Sequence, residues 1–205
     1  GNNSGNIFMP GKVGEDINAV NAWEIAKGSK EVKIAVIDTG VDYNHVDLKE
    51  NIMINELELN GEDGVDDDEN GYVDDIYGYD FANNDADPMD GNGHGTHVAG
   101  TIAAVGNNDI GVTGVAQNAQ LMALRFLNNS GNGISYHALL ALEYATMMGA
   151  DITNNSWIGD SYSSGTQYAI NQAGAMGSLY VVCAGNSRND NDISPTYPAS
   201  YLGDN

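Results

Sequence analysis

The sequence predicts an α/β domain of three layers, a mostly parallel sheet with helices on both faces. Two observations predict it. Short apolar runs bounded by glycine or aspartate alternate with longer segments of helical periodicity, the order that builds a parallel sheet. Chemically capable residues stand where the apolar runs stop, as they do at the carboxyl ends of strands in open sheets. With 205 residues and no internal repeat, the chain can bury one sizeable core.

Residues 1–12 are rich in glycine and asparagine and read as a surface arm. Val20, Trp23 and Ile25 suggest a helix over residues 17–27 that stops at Gly28. Residues 32–37 form an apolar strand that delivers Asp38-Thr39-Gly40. Residues 49–90 are an acidic insertion whose aromatic edge, residues 76–81, is expected to pack on the domain surface. A helix follows from His94 through Val98 and Ala99. The glycines on either side of His94 lower helix propensity, so something must approach the backbone closely there, and a substrate would do so. Residues 120–124 read as a strand leading to Gly131-Asn132-Gly133. Ser135 is placed to cap a helix with Ala138, Ala141, Leu142 and Ala145 on one face. A strand over 151–155, a helix over 167–176 and a strand over 179–183 complete the alternation, ending at Ala184-Gly185-Asn186.

Composition narrows the function. Twenty-nine acidic residues against seven basic ones give a formal charge of −22, which argues against nucleic acid and for cations as partners, a balance that calcium fits. No apolar run reaches membrane-spanning length, and the first residues show no signal-peptide pattern. The single Cys183 permits no internal disulfide, and its apolar neighbours indicate a buried thiol. Within the acidic insertion, Asp66, Asp68, Asn70, the Tyr72 carbonyl and Asp74 match alternate ligand positions of a calcium loop turning at Gly71. Tyr77 stands where such a loop carries its bidentate glutamate.

The histidines admit more than one chemistry. His94 can be a cleft-facing acid–base residue, or His94 and His97, one helical turn apart, can hold zinc with a carboxylate such as Asp90. Asp38-Thr39-Gly40 also fits an aspartic protease, but that chemistry needs a second carboxylate and no second copy of the triplet occurs.

Taken together, Val36-Ile37-Asp38-Thr39-Gly40-Val41-Asp42, His94-Gly95-Thr96-His97-Val98-Ala99-Gly100-Thr101 and Ala184-Gly185-Asn186 resemble the motifs of the subtilisin-like serine proteases, in that family's order. The resemblance runs from about Trp23 onward. It implies that Asp38 orients His94, that His94 moves the proton, and that the Asn186 amide donates to the oxyanion. It implies extended peptide binding between Gly131-Asn132-Gly133 and Ser156-Trp157-Ile158-Gly159, beside Ala184 and Gly185, with Ile158 where many relatives have glycine. A calcium site is implied at Asp47, Asn108 and the carbonyls of Val105, Ile110 and Val112, and secretion is expected. The family's Gly-Thr-Ser-Met-Ala-like nucleophile motif is absent from residues 1–205. The chain thus reads as the N-terminal two-thirds of a catalytic domain, truncated before the helix that bears the nucleophile and inactive alone. Partners would be the C-terminal portion, a propeptide or a second copy. A non-catalytic peptide-binding scaffold and a His-ligated metallohydrolase are the alternatives.

Overall fold

A computed structural model describes residues 11–12, 14–159 and 161–203. Its strands are β1 (Lys33–Asp38), β2 (Gly78–Asp80), β3 (Gln120–Arg125), β4 (Ile152–Asn155) and β5 (Leu179–Val182). Its helices are α1 (Ala19–Trp23), α2 (Glu56–Asn60), α3 (His94–Ala103), α4 (Ser135–Met147) and α5 (Ser164–Ala175). The strands form one sheet in the order β2-β3-β1-β4-β5, with every pairing parallel.

Alternation along β1 and β3 builds a core on each face. Ala35, Ile37, Met122 and Leu124 face α4 and α5, packing with Ala138, Ala141, Leu142 and Ile170. Ile34, Val36, Leu121 and Ala123 point the opposite way, against Ala99 and Ala103 of α3. The two central strands are therefore apolar on both sides, as a sheet covered by two helix layers requires. Truncating a fully buried leucine such as Leu124 to alanine would cost about 2–5 kcal/mol.

The predicted helix over 17–27 is a single turn, α1, without a buried residue. Its apolar pattern finds no core: Val20 and Ile25 are exposed, and Trp23 is held by its Nε1–H donating to the Val115 carbonyl at 2.8 Å. Ser135 does not cap α4 but is its first residue, and Ile134 occupies the cap position without a side-chain bond. α5 begins before residue 167, because the Ser163 hydroxyl accepts from the Thr166 amide and nucleates the first turn. Cys183 is half-buried rather than buried, its Sγ 3.5 Å from the Trp157 carbonyl. Of the expected arm over 1–12, all but residues 11 and 12 lies outside the described residues.

The acidic segment is built into the domain more deeply than its composition suggested. Its end is strand β2, a full member of the sheet, and Tyr79 and Phe81 are buried in the core. Gly78 permits this pairing: at φ +121° a Cβ there would lie 2.0 Å from the Ala123 carbonyl oxygen. Tyr72, from the acidic loop itself, meets Tyr79 and Tyr144 edge-on with ring centroids 4.6 and 5.0 Å apart.

Candidate active site

The C-terminal ends of β1, β3 and β4 converge on one cleft. Asp38, the last residue of β1, is fully buried, and His94, the first residue of α3, is exposed above it. His94 Nδ1 lies 2.7 Å from Asp38 Oδ1, which also accepts from the Thr39 amide at 2.7 Å. Burial pushes the Asp38 carboxyl up, against hydrogen bonds from His94 and Thr39. A carboxylate on Nδ1 fixes the tautomer, so Nε2 is the nitrogen left to exchange a proton in the cleft. Asp38 Oδ2 is buried with no partner among the described residues.

Asp90 fixes the start of α3. Its Oδ1 accepts from the amides of Asn92 and Gly93, both at 2.8 Å, and from the Thr39 hydroxyl at 2.9 Å. Its Oδ2 accepts from the Thr96 amide at 2.9 Å and the Thr96 hydroxyl at 2.6 Å. Burial alone would raise this carboxyl, but the bonds from Gly93, Thr96 and Asn92 outweigh it and hold the group below its ordinary value. The negative charge also suits a helix N-terminus. These five bonds make Asp90 the residue that fixes the first turn of α3.

At Gly95 the protein's own backbone comes close. A Cβ on Gly95 would lie 2.0 Å from the Gly40 carbonyl oxygen, so α3 sits directly against the end of β1. Gly93, at φ +101°, is required for its left-handed conformation. His94 and His97 open onto different cavities. His94 lines a cleft of about 840 Å³, whereas His97 lines a second of about 620 Å³ with Asp42, His45 and Asp47. Neither belongs to the metal-competent cluster found among the described residues.

The cleft beside His94 is walled by Gly131, Asn132 and Gly133 on one side and by Ser156, Trp157, Ile158 and Gly159 on the other. Trp157 meets Phe126, which also lines the cleft, edge-on with ring centroids 5.1 Å apart. Gly133 allows a close approach, since a Cβ there would lie 2.6 Å from the Phe126 carbonyl oxygen. Ala184, Gly185 and Asn186 follow β5. A Cβ on Gly185 would reach 3.4 Å from Ile158 Cδ1, and Asn186 is exposed.

In the acidic loop, Glu58, Asp66 and Asp68 place carboxylate oxygens within 4.8 Å of one another, a cluster that could hold a metal ion. Glu58 is buried on α2, and its carboxylate also accepts from the amides of Asp67, Asp68 and Asp74 at 2.7, 3.1 and 2.8 Å. Asp74 turns its side chain onto the Gly64 amide at 3.0 and 3.1 Å, and Asn70 Oδ1 accepts from the Tyr72 amide at 2.7 Å. Near α3, Asp47 accepts from Asn108 Nδ2 at 2.7 Å and from the Val112 amide at 3.0 Å, and its own carbonyl accepts from the Val105 amide. Asn108 Oδ1 accepts from the Ile110 amide at 3.1 Å.

The sequence profile of the subtilase family matches residues 29–203. The chain belongs to the subtilase family. This subtilase chain is 44% identical over 163 residues to subtilisin-like protease 1 of Plasmodium vivax, covering 80% of itself and 26% of that protein. It is 40% identical over 187 residues to thermitase of Thermoactinomyces vulgaris, covering 91% of itself and 57% of thermitase. Its fold resembles the crystal structure of a cold adapted subtilisin-like serine proteinase, with a TM-score of 0.65 at 29% identity, over 93% of this chain and 56% of that one. The chain thus spans between about a quarter and just over half of these relatives. No helix among the described residues is long and apolar enough to cross a membrane.

Three features of the site were not read from the sequence. Glu58, eight residues before Asp66, joins the acidic cluster from outside the loop spacing. Asp75 is a fully buried carboxylate that accepts from Tyr144, Asn55 and Asn70. Arg125 pairs with buried Asp80 at 2.8 Å. Both depend on long-range contacts that no local pattern announces.

Proposed function

We propose that this chain supplies the acid–base pair, the oxyanion donor and the peptide cleft of a serine endopeptidase, as a partial catalytic domain spanning residues 1–205. One observation carries the reading: a 2.7 Å contact joins fully buried Asp38 to His94 at the edge of a cleft with two glycine-bearing walls. Asp38 holds the His94 tautomer and stabilises its imidazolium. His94 Nε2 takes the proton of a serine hydroxyl and returns it to the leaving amine. The side-chain amide of Asn186 donates to the oxyanion, an interaction worth about 3–4 kcal/mol of transition-state stabilisation in sites of this type. An extended polypeptide pairs with residues 131–133 and 156–159, next to Ala184 and Gly185. The nucleophilic serine comes from outside residues 1–205, so the chain alone does not hydrolyse peptides. The arm over 1–12 and the acidic insertion over 49–90 belong to this same unit. The C-terminal portion, a propeptide or a second copy is its partner, and the protein is secreted.

Calcium stabilises the acidic loop in this reading. The donor set is all oxygen, as a hard cation requires, and Glu58 supplies the carboxylate that the loop's own spacing lacks. Asp66 and Asp68 complete the cluster, with Asn70, the Tyr72 carbonyl and Asp74 on the same loop. The bound ion would neutralise clustered carboxylates and so hold the loop against the sheet. Asp47, Asn108 and the carbonyls of Val105, Ile110 and Val112 take a second ion, in exchange for the hydrogen bonds that now close that loop.

The test is casein hydrolysis by the full-length gene product in calcium. Asp38→Asn is expected to lower kcat roughly ten-thousand-fold with little change in KM. His94→Ala is expected to abolish turnover. Activity retained in both variants would refute the assignment.

A further inference from the structure

An uninterrupted series of polar contacts runs from the acidic segment to the amide of His94. Asp80, on β2 and fully buried, pairs with the Arg125 guanidinium at 2.8 Å. Arg125 Nη2 donates to Asn129 Oδ1 at 2.7 Å, and its Nε donates to the Leu127 carbonyl at 3.4 Å. The Asn129 carbonyl accepts from Asn92 Nδ2 at 2.8 Å, and Asn92 Oδ1 accepts from the His94 amide at 3.2 Å. The approach at Asn129 is tight: a Cβ on Gly91 would lie 2.2 Å from Asn129 Oδ1. Asn129 therefore stands between the turn of residues 128–132, which leads into the cleft wall, and the segment that delivers His94.

We propose that Arg125 is a positioning residue for peptide binding: anchored on Asp80, it holds Asn129 so that the wall of residues 131–133 keeps a fixed separation from His94. The inference rests on the peptide-cleft reading above. Three acceptors lie around one side chain, an arrangement that suits the planar fork of arginine and that the single ammonium of lysine cannot span. The Asp80 carboxylate is itself fixed by the Ala82 amide at 2.8 Å, the Asn83 amide at 3.0 Å and Asn83 Nδ2 at 2.9 Å, so the anchor is rigid. Asn129, by contrast, is exposed, so its substitution separates positioning from folding.

The test measures binding of a fluorescein-labelled extended hexapeptide of alanine, leucine and phenylalanine to the purified chain by anisotropy, with thermal unfolding as the control. Asn129→Ala removes the acceptor and is expected to weaken binding about tenfold at an unchanged Tm, the scale of a small misplacement in a binding wall. Asn129→Asp keeps the acceptor and is expected to restore binding to within about twofold of the unsubstituted chain. Undiminished binding by Asn129→Ala would overturn the proposal while leaving the cleft reading intact, as would failure of Asn129→Asp to rescue. No binding by the unsubstituted chain would overturn the cleft reading and the proposal with it.

Discussion

Tyr144→Phe tests how firmly the acidic segment is joined to the body of the domain. The Tyr144 hydroxyl donates to Asp75 Oδ2 at 2.5 Å, and both side chains are almost completely buried. Asp75 also accepts from Asn55 Nδ2 at 2.8 Å and from Asn70 Nδ2 at 2.9 Å, so one carboxylate joins the start of α2, the acidic loop and α4. Burial and then the Asp75 charge raise the Tyr144 phenol far above its ordinary range, which keeps it a donor throughout the neutral region. Phenylalanine keeps the ring against Tyr72 and Phe81 and opens no cavity, so the loss is that of one charge-assisted hydrogen bond. Such a bond contributes about 1.5–3 kcal/mol. A loss of about 2 kcal/mol in a domain of this size lowers Tm by roughly 4–8 °C. Urea unfolding followed by circular dichroism at pH 8 gives the free energy directly, with an unchanged m-value expected. A loss below about 0.5 kcal/mol would refute the role assigned to Asp75.

Asp90→Asn is expected to destabilise the chain by about 1–3 kcal/mol at pH 7, because an amide cannot accept all the bonds that the carboxylate accepts. Since the Asp90 carboxyl is held below its ordinary value, its contribution is fully present above the unfolded-state value of about 4 and is lost as pH falls through the lower folded-state value. The gap between the two proteins should therefore close in urea titrations as pH falls below that point, and a gap independent of pH would contradict the assignment. For the acidic loop, calorimetric titration of the chelator-treated chain should show calcium binding that Glu58→Gln weakens at least tenfold. Identical titrations would exclude Glu58 as a ligand.

Much of this architecture was legible because the central strands carry their own signature. The runs at 33–38 and 120–125 are apolar on both faces, and the residues that end them are fixed in place by the strands themselves. Asp38 and His94 could be named for the same reason: each stands at the terminus of an element, one at the end of β1 and one at the start of α3. Strand β2 was hidden because its three residues lie within an acidic stretch and are held by Gly78 and a distant aromatic cluster, not by a local period. Trp23 misled in the opposite sense, as an apolar residue at helical spacing that is held by one carbonyl in place of a core. Asp90 had the right chemistry for a ligand, and only the five donors around it reveal its structural task.

The central claim is that Asp38 and His94 serve a serine nucleophile that residues 1–205 do not contain. Treating the purified chain and the full-length gene product with a fluorophosphonate probe in calcium, and mapping any labelled serine, tests it most directly. The account predicts label on a serine of the longer protein outside these residues, none on the chain alone, and loss of labelling in His94→Ala. Label on a serine within residues 1–205, or none on a folded and mature full-length protein, would contradict it.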